Sequence, residues 1–157
     1  MAAQVEGDHR RAEQLHAESL ALTRETGDRD LLKWALVGRG NVAVYQGDVT
    51  QGKARFEEVL ALAQETGDRR MIAFSLDGLA AVCRSPLRAA HLLGAADALR
   101  ADLQVTLSPI DSRFQQHVLN AVRAHLNAAA FTAAWAAGRA MSLEQAIAYA
   151  LEDDSMA

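Results

Sequence analysis

The chain has 157 residues and a formal net charge of −4 at pH 7, which fits one domain and argues against binding of nucleic acid through a basic surface. Half of the residues are apolar but only 5% are aromatic, and 33 alanines and 20 leucines stand against three isoleucines. This composition favours closely packed helices and excludes a β-sandwich and proline-rich disorder.

A repeat of 40 residues dominates the first half of the chain. The run Glu25-Thr26-Gly27-Asp28-Arg29 recurs as Glu65-Thr66-Gly67-Asp68-Arg69, and Gly7-Asp8 recurs as Gly47-Asp48. Glycine adopts the left-handed conformation that ends a helix, and aspartate caps the next helix, so each Gly-Asp pair predicts a corner between two helices. The predicted helices are 8–26, 29–46, 49–66 and 69–84.

Beyond Cys83 the repeat weakens, and capping residues predict the remaining helices. Ser85-Pro86 opens a helix over 86–103, and Ser108-Pro109 opens another that ends near Leu126 or Asn127. A short alanine-rich helix over 128–138 follows, and Ser142 opens a last helix that ends near Leu151. We expect one domain over 1–157, with helical repeats over 6–103 and capping helices over 108–157.

Features that would direct the chain out of the cytoplasm are missing from the sequence. Cys83 is the only cysteine, so no intramolecular disulfide forms, and we interpret it as a buried, inert thiol. The N-terminus lacks the apolar core of a signal peptide, and the longest uncharged apolar stretch, 128–138, is too short to cross a bilayer. We therefore expect a cytoplasmic protein that does not bind membranes.

These patterns resemble tetratricopeptide repeats of the long-helix variety. Gly40 lies seven residues before Gly47-Asp48, and Phe56 lies near the middle of the next helix, as in that family. The segments Leu87–Arg100 and Phe131–Ala146 resemble the closing repeat and terminal helices of LuxR-type and related ATP-dependent bacterial transcriptional regulators. The resemblance implies an all-α, right-handed superhelix of antiparallel helix pairs with a C-terminal helical cap. It also implies the sensor or interaction segment of such a regulator, although no phosphate-binding loop is present.

The equivalence of Trp34 and Phe74 predicts a groove. In tetratricopeptide-like superhelices the first helix of each pair lines the concave face, where aromatic side chains anchor an extended peptide or an amphipathic helix. The predicted lining residues are Trp34, Val37, Asn41, Tyr45, Phe74, Asp77 and Arg84. Ordinary core packing of the aromatic residues is the alternative. The peptide-carboxylate clamp of some relatives is not expected, because Val37 and Asp77 replace its basic residues.

The first helix has no preceding helix to cover it. Its apolar residues Leu15 and Leu22 are therefore predicted to mediate self-association, as a homodimer or through another domain.

Catalytic patterns are weak. His9, Glu13 and His16 share helical spacing and suggest a zinc site, but a solvated charged face explains the same pattern. We expect no enzymatic activity, no cofactor and no metal. Two functions stay open, a protein-interaction scaffold and a small-molecule sensor. A deep pocket lined by Trp135 or Tyr149 under the C-terminal helices would favour the sensor, whereas a shallow open groove would favour the scaffold.

Overall fold

The computed structural model describes residues 2–152, apart from the side chains of residues 2–9 and 12. This part of the chain is all-helical and contains eight α-helices and no strand. The helices are α1 (Ala2–Thr26), α2 (Arg29–Tyr45), α3 (Val49–Thr66), α4 (Arg69–Ala81), α5 (Pro86–Leu103), α6 (Pro109–Arg123), α7 (Ala128–Arg139) and α8 (Leu143–Leu151).

Three of the four Gly-Asp pairs form the predicted corners. Gly27, Gly47 and Gly67 have φ angles of 72°, 74° and 68°, a region that residues with a side chain rarely adopt. The aspartate after each glycine caps the next helix; the Asp68 carboxylate, for example, accepts a hydrogen bond from the Met71 backbone N–H at 3.1 Å. Each corner therefore reverses the chain within two residues.

Three predicted boundaries are wrong. Helix α6 ends at Arg123, before the predicted Leu126 or Asn127. Gly7-Asp8 lies inside α1, because a single glycine costs a helix only about 1 kcal/mol and the residues before it favour helix. Helix α4 ends at Ala81 instead of residue 84, and Val82 follows it as the cap residue.

Helices α2, α3 and α4 pack around one aromatic ring. Phe56 is fully buried, and a methyl group on either Gly40 or Gly78 would overlap its ring. Gly52 contacts Val44 and Val82 at the other end of α3, so neighbouring helices run antiparallel. The missing side chains on α2 and α4 thus let both helices close over Phe56.

The C-terminal helices attach to α5 in a different way. Gly94 lies against the backbone of Trp135, and Gly138 lies against the backbone of His91, so α5 and α7 touch main chain to main chain. Helix α8 is fixed by Arg88, whose guanidinium donates a 2.8 Å hydrogen bond to the Tyr149 carbonyl and pairs with Glu152 at 3.1 Å.

Two buried ion pairs connect neighbouring helices. The Lys33 ammonium, on a side chain only 1% exposed, lies 2.8 Å from Asp68 and 3.0 Å from Asp30. Burial disfavours its charge, but hydrogen bonds and attraction to these carboxylates outweigh burial and raise the pKa of Lys33. Asp77 on α4 pairs with Arg100 on α5 through two hydrogen bonds of 2.5 and 3.3 Å.

Candidate functional site

Trp34 and Phe74 form an aromatic cluster at the start of α2 and α4. Their ring centroids are 5.4 Å apart in an edge-to-face arrangement. The Arg70 guanidinium lies 5.4 Å from the Trp34 ring centroid and 6.0 Å from that of Phe74. Trp34 remains 40% exposed, whereas Phe74 is buried. An exposed indole in contact with both an aromatic ring and a cation is the kind of residue that anchors protein interfaces.

At the other end of α2, the chain's own helix α6 contacts the predicted groove at Tyr45, which stays 45% exposed. Phe114 and His117 of α6 lie with their ring centroids 5.9 and 4.9 Å from that of Tyr45. The Phe114 ring also lies 6.2 Å from that of Phe56. Phe114, Val118 and Val122, four residues apart, form the buried stripe of α6. An amphipathic helix therefore already occupies the part of the groove next to Tyr45.

Three predicted groove residues do not lie on an open surface. Val37 and Phe74 are buried in the core, and Asp77 is buried in its pair with Arg100. Their assignment to an open groove lining is wrong, because the two apolar side chains pack inside and the Asp77 carboxylate, within the apolar run of α4, needs an internal partner.

Asn41 and Arg84 have intermediate positions. Asn41 is half-buried on α2, and its side-chain oxygen has no hydrogen-bond partner among residues 2–152. Arg84 is exposed and follows the end of α4. The structure thus brings Trp34 next to Phe74 and brings Tyr45 against α6, but it does not join all seven residues into one open groove.

Both predicted self-association residues are exposed. Leu15 and Leu22 lie two helical turns apart on α1, and Leu31 at the start of α2 is exposed as well. With Trp34 and Tyr45, these side chains are the large exposed apolar residues among the described side chains of the first helix pair.

The proposed zinc triad has no support within the described side chains. His16 packs its ring against Gly38, and burial together with the charge of Arg39 lowers its pKa below the ordinary value. The side chain of His9 lies outside the described residues, and no group of three metal-ligating side chains occurs among those that are described.

A cavity lies between α3, α4, α5 and α8. It has a volume of about 430 Å³ and a mixed lining of apolar, basic and acidic side chains, among them Leu79, Leu92, Lys53, Arg84 and Glu152. Neither Trp135 nor Tyr149 lines it. Trp135 stacks on Phe131 at a centroid distance of 5.7 Å, and Tyr149 packs under the Arg88 guanidinium at 4.4 Å.

Sequence reasoning missed Arg70, Lys33 and Phe114. Arg70 and Lys33 lie early in their helices, where exposed positions are common, and nothing local marks their partners. The burial of Phe114 was predictable, since with Val118 and Val122 it forms a narrow apolar stripe on an otherwise polar helix. The surface that receives this stripe could not be identified from spacing alone.

No protein-family model matches the chain, and it has no significant match among curated proteins or solved structures. Of the helices in residues 2–152, none combines the length and apolarity needed to span a membrane.

Proposed function

We propose that the chain is a non-catalytic helical-repeat scaffold that binds a protein partner. The main support is Trp34, which stays 40% exposed although Phe74 and Arg70 hold its ring in place. Rigid, exposed aromatic residues dominate the binding free energy of protein interfaces. The proposal includes the right-handed superhelical arrangement of tetratricopeptide type that the sequence resembles.

The packing of α6 supports the proposal that the partner binds as a helix. Helix α6 packs against α4 and α5 and also reaches Tyr45 of α2 through Phe114. Its buried stripe of Phe114, Val118 and Val122 is the kind of apolar face that inserts in the helix-in-groove mode of recognition. Trp34, at the opposite end of α2 from Tyr45, stays 40% exposed. A partner helix or peptide would contact the Trp34 end.

The biological setting belongs to the same proposal. The resemblance of the C-terminal half to LuxR-type regulators suggests a sensor or interaction segment of a bacterial transcriptional regulator in the cytoplasm. Contacts would be made to protein and not directly to nucleic acid, because the net charge is −4.

Site-specific photo-crosslinking tests this function. A photoreactive phenylalanine analogue replaces Trp34 in one variant and Leu87, an exposed leucine on α5, in the control. We expect a discrete protein adduct from position 34 and none from position 87 in cells that express the chain. Equal adducts from both positions, or none, would contradict the scaffold function.

A small-molecule sensor is the second candidate, and the cavity of about 430 Å³ favours it. Lys53 and Arg84 line the cavity beside apolar side chains, which suits an organic acid with an apolar body. A thermal-shift screen of such acids tests it, with Lys53→Glu as the matched variant. A shift that Lys53→Glu leaves unchanged would argue against this cavity as the binding site.

A further inference from the structure

The first helix pair contacts the second through a set of basic residues and one aromatic ring. Arg24 pairs with Glu58 at 3.1 Å, and Arg29 pairs with Glu65 at 3.5 Å. Lys33 binds Thr66 and Asp68 at 3.0 and 2.8 Å, and Trp34 packs on Phe74. The second pair thus offers carboxylates and a hydroxyl to the basic edge of the first pair.

The same acceptor residues occur 40 positions earlier. Glu58, Glu65, Thr66 and Asp68 correspond to Glu18, Glu25, Thr26 and Asp28, each of the same residue type. All four of the earlier residues are exposed. Because the two pairs share their corners and their sequence pattern, these residues mark the equivalent side of the first pair. No helix among residues 2–152 covers that side.

The apolar residues also differ in exposure between the open side of the first pair and the equivalent, covered side of the second pair. Leu31 is 55% exposed, whereas its equivalent Met71 is 2% exposed. Leu22 is 60% exposed, whereas its equivalent Leu62 packs against the core. The open side therefore has the composition of a helix-stacking surface. We call it the acidic edge, which comprises Glu18, Leu22, Glu25, Asp28, Leu31 and Trp34.

Charge argues against a second copy of the chain as the occupant. A two-fold dimer would bring each acidic edge against itself, and like charges in contact repel. The basic edge of a second copy is already bound to its own α3 and α4.

We propose that the acidic edge binds a helix pair of a partner protein that carries two arginines, a lysine and an aromatic residue spaced as in Arg24, Arg29, Lys33 and Trp34. This inference rests on the proposed scaffold function and names the chemistry of the partner. The contact repeats one that the molecule already makes, with the partner in the place that α1 and α2 take against α3 and α4.

A synthetic peptide of residues 2–46 of this chain is the probe, because its basic edge is uncovered. Fluorescence anisotropy measures its binding to the full chain. We expect reversal of Arg24, Arg29 and Lys33 to glutamate in the peptide to weaken binding by about tenfold or more. Leu31→Glu in the full chain should weaken binding similarly, whereas the control Leu87→Glu should not. Binding that Leu31→Glu leaves unchanged would indicate exchange with the chain's own helix pair and overturn the proposal.

A tandem chain covers the case in which the isolated peptide stays unfolded. Residues 7–46 are duplicated in front of residue 7, which gives a Gln-Gly-Asp junction like that of Gln46-Gly47-Asp48. We expect added helical circular dichroism and slower hydrogen exchange around Leu31 of the original copy. A duplicate with the three basic residues reversed should give neither. An unprotected Leu31 segment in the tandem chain would overturn the proposal.

Two further outcomes separate this inference from the scaffold function. Sedimentation equilibrium that shows a dimer abolished by Leu22→Glu would assign the edge to a second copy and overturn the inference. The second outcome is a partner that crosslinks at position 34 but binds equally well after charge reversal at Glu18 and Glu25. That result would overturn the inference about the acidic edge and leave the scaffold function standing.

Discussion

The two helix pairs have the same sequence pattern but different surroundings. The first pair is α1 and α2, and the second is α3 and α4. His16 packs on Gly38 in the first pair, and its equivalent Phe56 packs on Gly78 in the second. Phe56 is fully buried between α2 and α4, whereas His16 is only half-buried. The comparison shows that equivalent positions of the two pairs differ in burial according to the helices packed around them.

The largest expected effect contrasts Met71 with Leu31. Met71→Ala should lower the free energy of unfolding by about 3 kcal/mol, because it leaves a cavity in the core. Leu31→Ala, at the equivalent exposed position, should change it by less than about 0.5 kcal/mol. Urea unfolding followed by circular dichroism measures both. Equal losses would mean that the acidic edge is covered in the free protein.

A smaller difference is expected between two glycines. Gly78→Ala should lower the free energy of unfolding by about 2 kcal/mol, since its methyl group meets a Phe56 ring enclosed by three helices. Gly38→Ala should have a weaker effect, because the His16 side chain can turn toward solvent. The same unfolding experiment tests the pair, and a larger loss for Gly38→Ala would contradict this view of the first pair.

Removal of the buried ammonium should loosen the two pairs from one another. Lys33→Met deletes the charged hydrogen bonds to Asp68 and Thr66 and should cost about 1.5 kcal/mol. Lys53→Met is the control, since Lys53 is exposed and forms a weak surface ion pair with Glu57 at 3.9 Å. A cost of the same size for Lys53→Met would show that the burial of Lys33 is irrelevant to stability.

The smallest effect should depend on pH. The pKa of His16 is lowered in the folded chain, so the unfolded chain takes up the proton first as the pH falls below about 6.5. The stability that depends on neutral His16 is present above that pH and is lost as the pH falls through the folded pKa.

His16→Phe, which copies Phe56, should remove this loss, and His16→Gln should also remove it without restoring an aromatic ring. The measurement is the difference in free energy of unfolding between about pH 7.5 and about pH 5.5 for each chain. An unchanged difference in both variants would exclude His16 as the cause.

Most of the helices were predictable because their caps are local. Asp28, Asp48, Asp68, Ser108 and Ser142 each bond backbone N–H groups at the start of a predicted helix. Gly7-Asp8 failed because a Gly-Asp pair ends a helix only where the chain must turn onto a packed neighbour.

The candidate site was predicted less well, because it depends on contacts between distant segments. The equivalence of Trp34 and Phe74 predicted a groove lined by both residues; the structure places the two rings in contact but leaves only Trp34 of the two exposed. Two contacts depend on how the C-terminal helices pack against the repeats: α6 contacts Tyr45, and Asp77 binds Arg100. The spacing of residues along one helix carries no information about contacts between helices that are distant in sequence.

The burial of Lys33 gives the protein a chemical reporter. Lys33 and Lys53 are the lysines of the sequence, and their side chains are 1% and 48% exposed. An amine-specific acylating reagent applied to the folded protein should therefore modify Lys53 and spare Lys33. Labelling of Lys33 would then record how often α2 separates from the corner between α3 and α4, without any engineered probe.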